Sequence, residues 1–138
     1  MTATAPSREL TPHRDVTVDS AGDSLNVEVK YGDLEWRLSG DAAAAPDPVS
    51  SFLGALGGCL LMSLRVAARV RKIDLGRSSV HAQANEKGHV KEIKVELQVE
   101  SSANDEQLRR LVEVAERGCH IRNLIRDDVT LALEIKRL

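Results

Sequence analysis

The chain has two cysteines, Cys59 and Cys119, and their types and settings raise the first chemical question. A thiolate is a strong nucleophile and can enter the reversible rung of sulfur oxidation. Cys59 lies in the uncharged run "GALGGCLLMSL". Cys119 lies in "ERGCHIRNLI", with Arg117, His120, Arg122 and Arg126 near it in sequence. Apolar surroundings disfavour a thiolate at the first, and cations would favour one at the second. Taken singly, each cysteine reads as inert packing, because free cysteines are among the most buried residue types. The two stand 60 positions apart with no CxxC pair, a spacing of neither a zinc site nor a small disulfide scaffold. His13, His81, His89 and His120 are scattered, so no metal is expected. The chain has no Gly-rich phosphate loop, so a nucleotide site has no support.

The elements that must position the two thiols follow from periodicity. Residues 1–12 are polar, contain Pro6 and Pro12, and read as a flexible tail. Residues 13–138 read as a single domain. Val16 and Val18, then Leu25, Val27, Val29 and Tyr31, then Leu34, Trp36 and Leu38 alternate with polar neighbours. That period of two predicts three half-buried strands, joined at Ala21-Gly22-Asp23 and Tyr31-Gly32-Asp33 as a meander. Asp47 and Pro48 predict a helix start, with Asp47 as N-cap, and the helix is expected to reach about Lys72. Phe52, Ala55, Leu56, Cys59, Met62, Ser63, Val66 and Val70 recur at helical spacing and are the expected buried stripe. Gly54, Gly57 and Gly58 each lower helix propensity by about 1 kcal/mol, which close approach of another backbone would explain. Two strands follow, around Val80–Ala84 and Ile93–Val99, separated by an Asn85–Gly88 turn. Asn104 and Gln107 form a capping box for a second helix that buries Leu108, Leu111, Val112 and Ala115, with Gly118 as its stop. A short helical turn in "HIRNLIRDD" and a strand through Val129, Leu131, Leu133 and Ile135 close the chain. The order βββ-α-ββ-α-β predicts an α+β fold, with a mostly antiparallel sheet and a long central helix.

Composition narrows the function classes. The net charge of −2 gives no general pull toward nucleic acid or an anionic membrane surface. Arg65, Arg69, Arg71 and Lys72 read as a solvated helix end. Residues 48–64 are uncharged but short for a span, so a buried core helix is expected. The N-terminus has no secretory signal, and a cytoplasmic location is expected.

Two segments together carry a resemblance. "PDPVSSFLGALGGCLLMSLRVAARVRKIDL" resembles the central cysteine helix of the OsmC/Ohr family. "LRRLVEVAERGCHIRNLI" is similar to that family's second cysteine segment. The likeness runs over about residues 14–138. It implies an intertwined homodimer with the cysteine helices packed centrally. It also implies a thiol-dependent peroxidase acting on organic hydroperoxides. Carried over by position, Cys59 is the peroxidatic thiol and Cys119 the resolving thiol. Their disulfide would be reduced by a dithiol, with no metal or bound cofactor. The family's arginine, which ionises the first cysteine and stabilises the leaving alkoxide, maps to Arg14 in "PHRDV". Its glutamate partner, ten positions before the cysteine, maps to Val49. The family's proline after the second cysteine is His120. Two alternatives stay open beside the peroxidase. One is a non-enzymatic binder of a small apolar ligand, using the apolar dimer pocket around Phe52, Leu56 and Met62. The other is a thiol redox sensor.

Overall fold

The computed structural model describes residues 14–85 and 88–138. The expected tail at 1–12, His13, and Glu86 and Lys87 of the expected turn lie outside the described residues. The elements are β1 (Thr17–Ser20), β2 (Asn26–Tyr31), β3 (Leu34–Ser39), α1 (Pro48–Arg71), β4 (Ser78–Ala84), β5 (Glu92–Val99), α2 (Asp105–Gly118), a 3-10 turn (Arg122–Leu124) and β6 (Thr130–Arg137). This is the expected α+β order. The strands form two three-stranded sheets, β1-β2-β3 and β4-β5-β6. The chain divides into two compact units, Met1–Pro48 and Val49–Leu138.

The first unit is the antiparallel meander. Tyr31 pairs with Leu34, leaving the two-residue loop Gly32-Asp33. Gly32 has φ +56°, the left-handed conformation that such a loop demands at its first position. The register aligns Val18, Val29 and Trp36 across the three strands. Of these three, only Val29, in the central strand, is buried. Val18, Tyr31, Leu34 and Trp36 on the same face stay exposed. The other face is polar, with Glu28 bonded to Arg37 directly opposite it at 2.6 Å.

The second unit places both helices against one face of β4-β5-β6. β5 is central, antiparallel to β4 and parallel to β6, so α2 is the crossover between parallel neighbours. Ile93, Val95, Leu97 and Val99 alternate inward and are all buried. Lys136 reaches Glu96 at 3.0 Å across the solvated face. Leu64, Ala67 and Ala68 of α1 pack with Leu97, Val99, Leu108, Leu111, Val112 and Ala115. Leu56 and Leu60 pack with Ile93, Val95 and Cys119. The two clusters show that α2 runs back along β5, opposite to α1. The capping box forms as expected, Gln107 N–H donating to Asn104 Oδ1 at 2.8 Å and Asn104 N–H to Gln107 Oε1 at 3.0 Å.

Several expectations for α1 are corrected. The buried face is Leu56, Gly57, Leu60, Leu64, Ala67 and Ala68. Of the expected stripe, Leu56 is buried and Cys59 half-buried, while Phe52, Ala55, Met62, Val66 and Val70 are exposed. The helix is apolar on two faces, so helical spacing by itself selects either. It is long and apolar enough to cross a bilayer by composition, but one face packs as a core helix does. Of its glycines, Gly57 has a packing reason: an added Cβ would sit 3.1 Å from Val80 Cγ1 of β4. The neighbour is a side chain rather than a backbone. Arg65 is not simply solvated, since it donates to the carbonyls of Leu75 (3.3 Å) and Gly76 (2.8 Å).

The helix ends fall where expected, but their backbones differ. Gly118 is the last residue of α2 and has no left-handed backbone; Cys119 caps the helix in an extended conformation. The left-handed cap belongs to α1, where Lys72 has φ +55°. Lys72 N–H donates to Arg69 O at 3.2 Å and Ile73 N–H to Ala68 O at 2.9 Å, the paired bonds of a Schellman stop. A side chain in that conformation is disfavoured, whereas glycine adopts it freely. Lys72→Gly should therefore raise unfolding stability by about 1 kcal/mol, read as a higher denaturant midpoint at unchanged slope.

Candidate active site

Cys59 lies midway along α1, one turn from both Leu56 and Met62, where the buried face meets the exposed one. Cys119 is carried to it by α2. The body of α2 packs on the C-terminal half of α1, and its last turn delivers the cap residue beside Leu56 and Leu60. There Cys119 is fully buried and Cys59 half-buried. The two thiols are within hydrogen-bonding reach of each other. No disulfide joins them. Residues 60 positions apart are thus brought into contact inside one chain.

The environment of Cys119 is specific. Its Sγ accepts the backbone N–H of Arg122 at 3.4 Å, and its own N–H donates to Glu116 O at 3.2 Å. Burial raises the Cys119 pKa, opposed by the Arg122 N–H. The bond and charge of the Cys59 thiol raise it further, opposed by the Ile121 N–H, and the net effect is upward. Two acids in contact cannot both ionise easily, so the buried thiol keeps its proton.

The cations near Cys119 in sequence do different work from that expected. Arg122 meets the sulfur with its backbone N–H, and its guanidinium Nε pairs with Glu116 at 3.4 Å. Arg126 pairs with Asp128 at 2.7 Å, and His120 is exposed. Sequence reasoning missed Glu116. Its partner lies six residues on, across a helix end, where no helical period links them. Arg14 is exposed ahead of β1 and belongs to the first unit. The unit that joins Cys59 to Cys119 does not contain it. Val49 is exposed at the start of α1, whose first turn has no acidic residue.

A cavity of about 410 Å³ lies along α1 and β4, lined by Leu53, Gly54, Gly57, Gly58, Val80 and Ala82 among others. Phe52, Leu56 and Met62, the residues expected around a ligand in a dimer pocket, do not line this cavity; Leu56 is fully buried, and Phe52 and Met62 are exposed. Among the described residues there is no cluster of three side chains able to hold a metal.

The comparisons with known proteins agree with this architecture. A protein from Haloferax volcanii, itself uncharacterized, is 25% identical over 116 residues, covering 82% of this chain and 86% of the relative. An OsmC-like protein from Mycoplasma pneumoniae superposes with a TM-score of 0.80 at 14% identity, over 94% of this chain and 98% of that one. An organic hydroperoxide resistance protein from Elizabethkingia anophelis does so with a TM-score of 0.74 at 19% identity, over 95% and 100%. At those identities the structures speak for the fold. The family model described as OsmC-like protein matches residues 39–134, a span from the end of β3 into β6 that includes both cysteines. The chain belongs to the OsmC-like protein family.

Proposed function

We propose that the protein is a thiol-dependent peroxidase that reduces organic hydroperoxides through Cys59 and Cys119. The observation that carries the reading is the contact of the two thiols, one half-exposed and one buried with a raised pKa. That asymmetry divides the roles. Cys59 is the thiol a hydroperoxide can reach. Its thiolate attacks the outer peroxide oxygen, forming an S–O bond while the O–O bond breaks. The alkoxide leaves and takes up a proton as the alcohol. Cys119 then attacks the sulfenic sulfur: an S–S bond forms, the S–O bond breaks, and the oxygen leaves as water. A dithiol returns two electrons and two protons. Arg14 is assigned to hold the Cys59 thiolate and the leaving alkoxide, from its match to the family arginine.

Homodimerisation belongs to this reading. Phe52, Met62, Val66 and Val70 form an exposed apolar stripe on α1, on the side away from its own core. A stripe of that kind is the surface a second cysteine helix would cover. A non-enzymatic binder remains a second reading, supported by the cavity between α1 and β4, whose volume suits a small ligand.

Anaerobic mixing of reduced protein with an organic hydroperoxide tests the peroxidase. Cys59→Ser should abolish peroxide consumption. Cys119→Ser should still consume one equivalent and leave a sulfenic acid trapped by dimedone. A ligand-dependent melting shift that survives Cys59→Ser, with no peroxide consumed by the wild type, would instead support the binder. Arg14→Ala should slow sulfenic acid formation by roughly 10²-fold, the scale of losing one charge-stabilising donor. A wild-type rate would remove Arg14 from the site.

The raised pKa of Cys119 also has a sign in stability. Its contribution is fully present below the thiol's ordinary value. It is lost as pH rises from there through the higher folded value, because the unfolded chain ionises first. Denaturant midpoints should fall at alkaline pH, and Cys119→Ser should flatten that fall.

A further inference from the structure

Cys119 is bracketed by two residues that meet each other. Glu116 lies three residues before it, in the last turn of α2. Arg122 lies three residues after it, at the start of the 3-10 turn. The Arg122 Nε–Glu116 Oε1 distance is 3.4 Å, and the two side chains are 29% and 34% exposed. Arg126–Asp128, at 80% and 64%, and Arg109–Glu113, at 63% and 54%, lie far more open to solvent. A second tie closes the same turn, Asn123 Nδ2 donating to Arg117 O at 3.2 Å. The residue that pairs with Glu116 is also the residue whose backbone N–H reaches the Cys119 sulfur. A displacement of Arg122 therefore displaces the sulfur's donor.

We propose that the Glu116–Arg122 pair clamps the Cys119 turn, which makes Arg122 a positioning residue for disulfide closure. The inference rests on the peroxidase reading and concerns only its second step. Closure needs the Cys119 sulfur aimed along the line to Cys59, with a donor to steady the developing thiolate as its proton goes to the departing hydroxide. The clamp supplies the aim through the turn, and the Arg122 N–H supplies the donor. The first step occurs at the other sulfur and uses neither group. The clamp thus predicts that the two half-reactions separate, which a general loss of folding would not produce.

The test is a single turnover of the reduced full chain with one equivalent of organic hydroperoxide. Sulfenic acid is followed by dimedone trapping, and the disulfide by loss of free thiol. In Arg122→Ala and Glu116→Ala, sulfenic acid should form at the wild-type rate. Closure should slow by about tenfold, within the range expected for misplaced reacting groups. The pH profile of closure should also move toward alkaline values. Arg122→Lys, which keeps a cation for Glu116, should recover most of the rate. A parallel series uses diamide, which takes two electrons from the thiol pair and needs no peroxidase chemistry. If the wild type fails to consume hydroperoxide yet closes with diamide, the peroxidase reading fails and the clamp is still judged by the diamide rates. Closure at the wild-type rate in both alanine variants would overturn the proposal. So would an Arg122→Lys as slow as Arg122→Ala, or equal slowing of both steps. Should Arg122→Ala fail to fold, Glu116→Gln and Arg122→Lys decide the same question by the same readouts.

Discussion

The packing of one face of α1 on β5 is the constraint from which the rest of the second unit follows. Leu56, Leu60 and Leu64 are almost fully buried against Ile93, Val95, Leu97 and Val99. Side chains of this kind contribute about 1.5–3 kcal/mol each on burial. That contact sets which way α1 is rotated, and rotation decides where Cys59 lies. Gly57 belongs to the same arrangement: without a Cβ it lets Val80 of β4 come close. A helix turned to bury Phe52, Met62 and Val66 instead would carry Cys59 elsewhere relative to Cys119.

The two thiols occupy unlike places for a related reason. Cys119 caps a helix whose four buried residues already lie on the α1–β5 core, so its position comes with the core. Cys59 lies at the seam where α1 leaves that core. Burial then separates their chemistry. The buried sulfur keeps its proton, although two backbone N–H groups oppose that effect. Redox chemistry between paired thiols depends on such inequality, because one must be the nucleophile while the other waits.

Much of the fold was legible in sequence because its signals were local. The capping box was read from Asn104 and Gln107, the hairpin from Tyr31-Gly32-Asp33, and the buried face of α2 from four residues at helical spacing. α2 has one apolar face and a strongly polar remainder, so its period has one solution. α1 has two apolar faces, and the same method picked out mainly the one that this chain's own core leaves exposed. Gly118 was read as the stop of α2 and is its last residue, whereas the left-handed backbone lies at Lys72 after α1, which carries no compositional mark of that role.

By itself the sequence determined the order of elements, the alternation of β5 and the pairing of two cysteine segments within one family pattern. These rest on spacing along the chain, and spacing is what a sequence records. Only the tertiary structure decided that Cys59 and Cys119 touch, that Arg122 meets Cys119 through its backbone, and that Glu116 holds the Arg122 side chain. Each of those depends on the rotation of a helix about its axis or on the path of a turn. Such rotations are set by the balance of packing over many residues, and no local period encodes them.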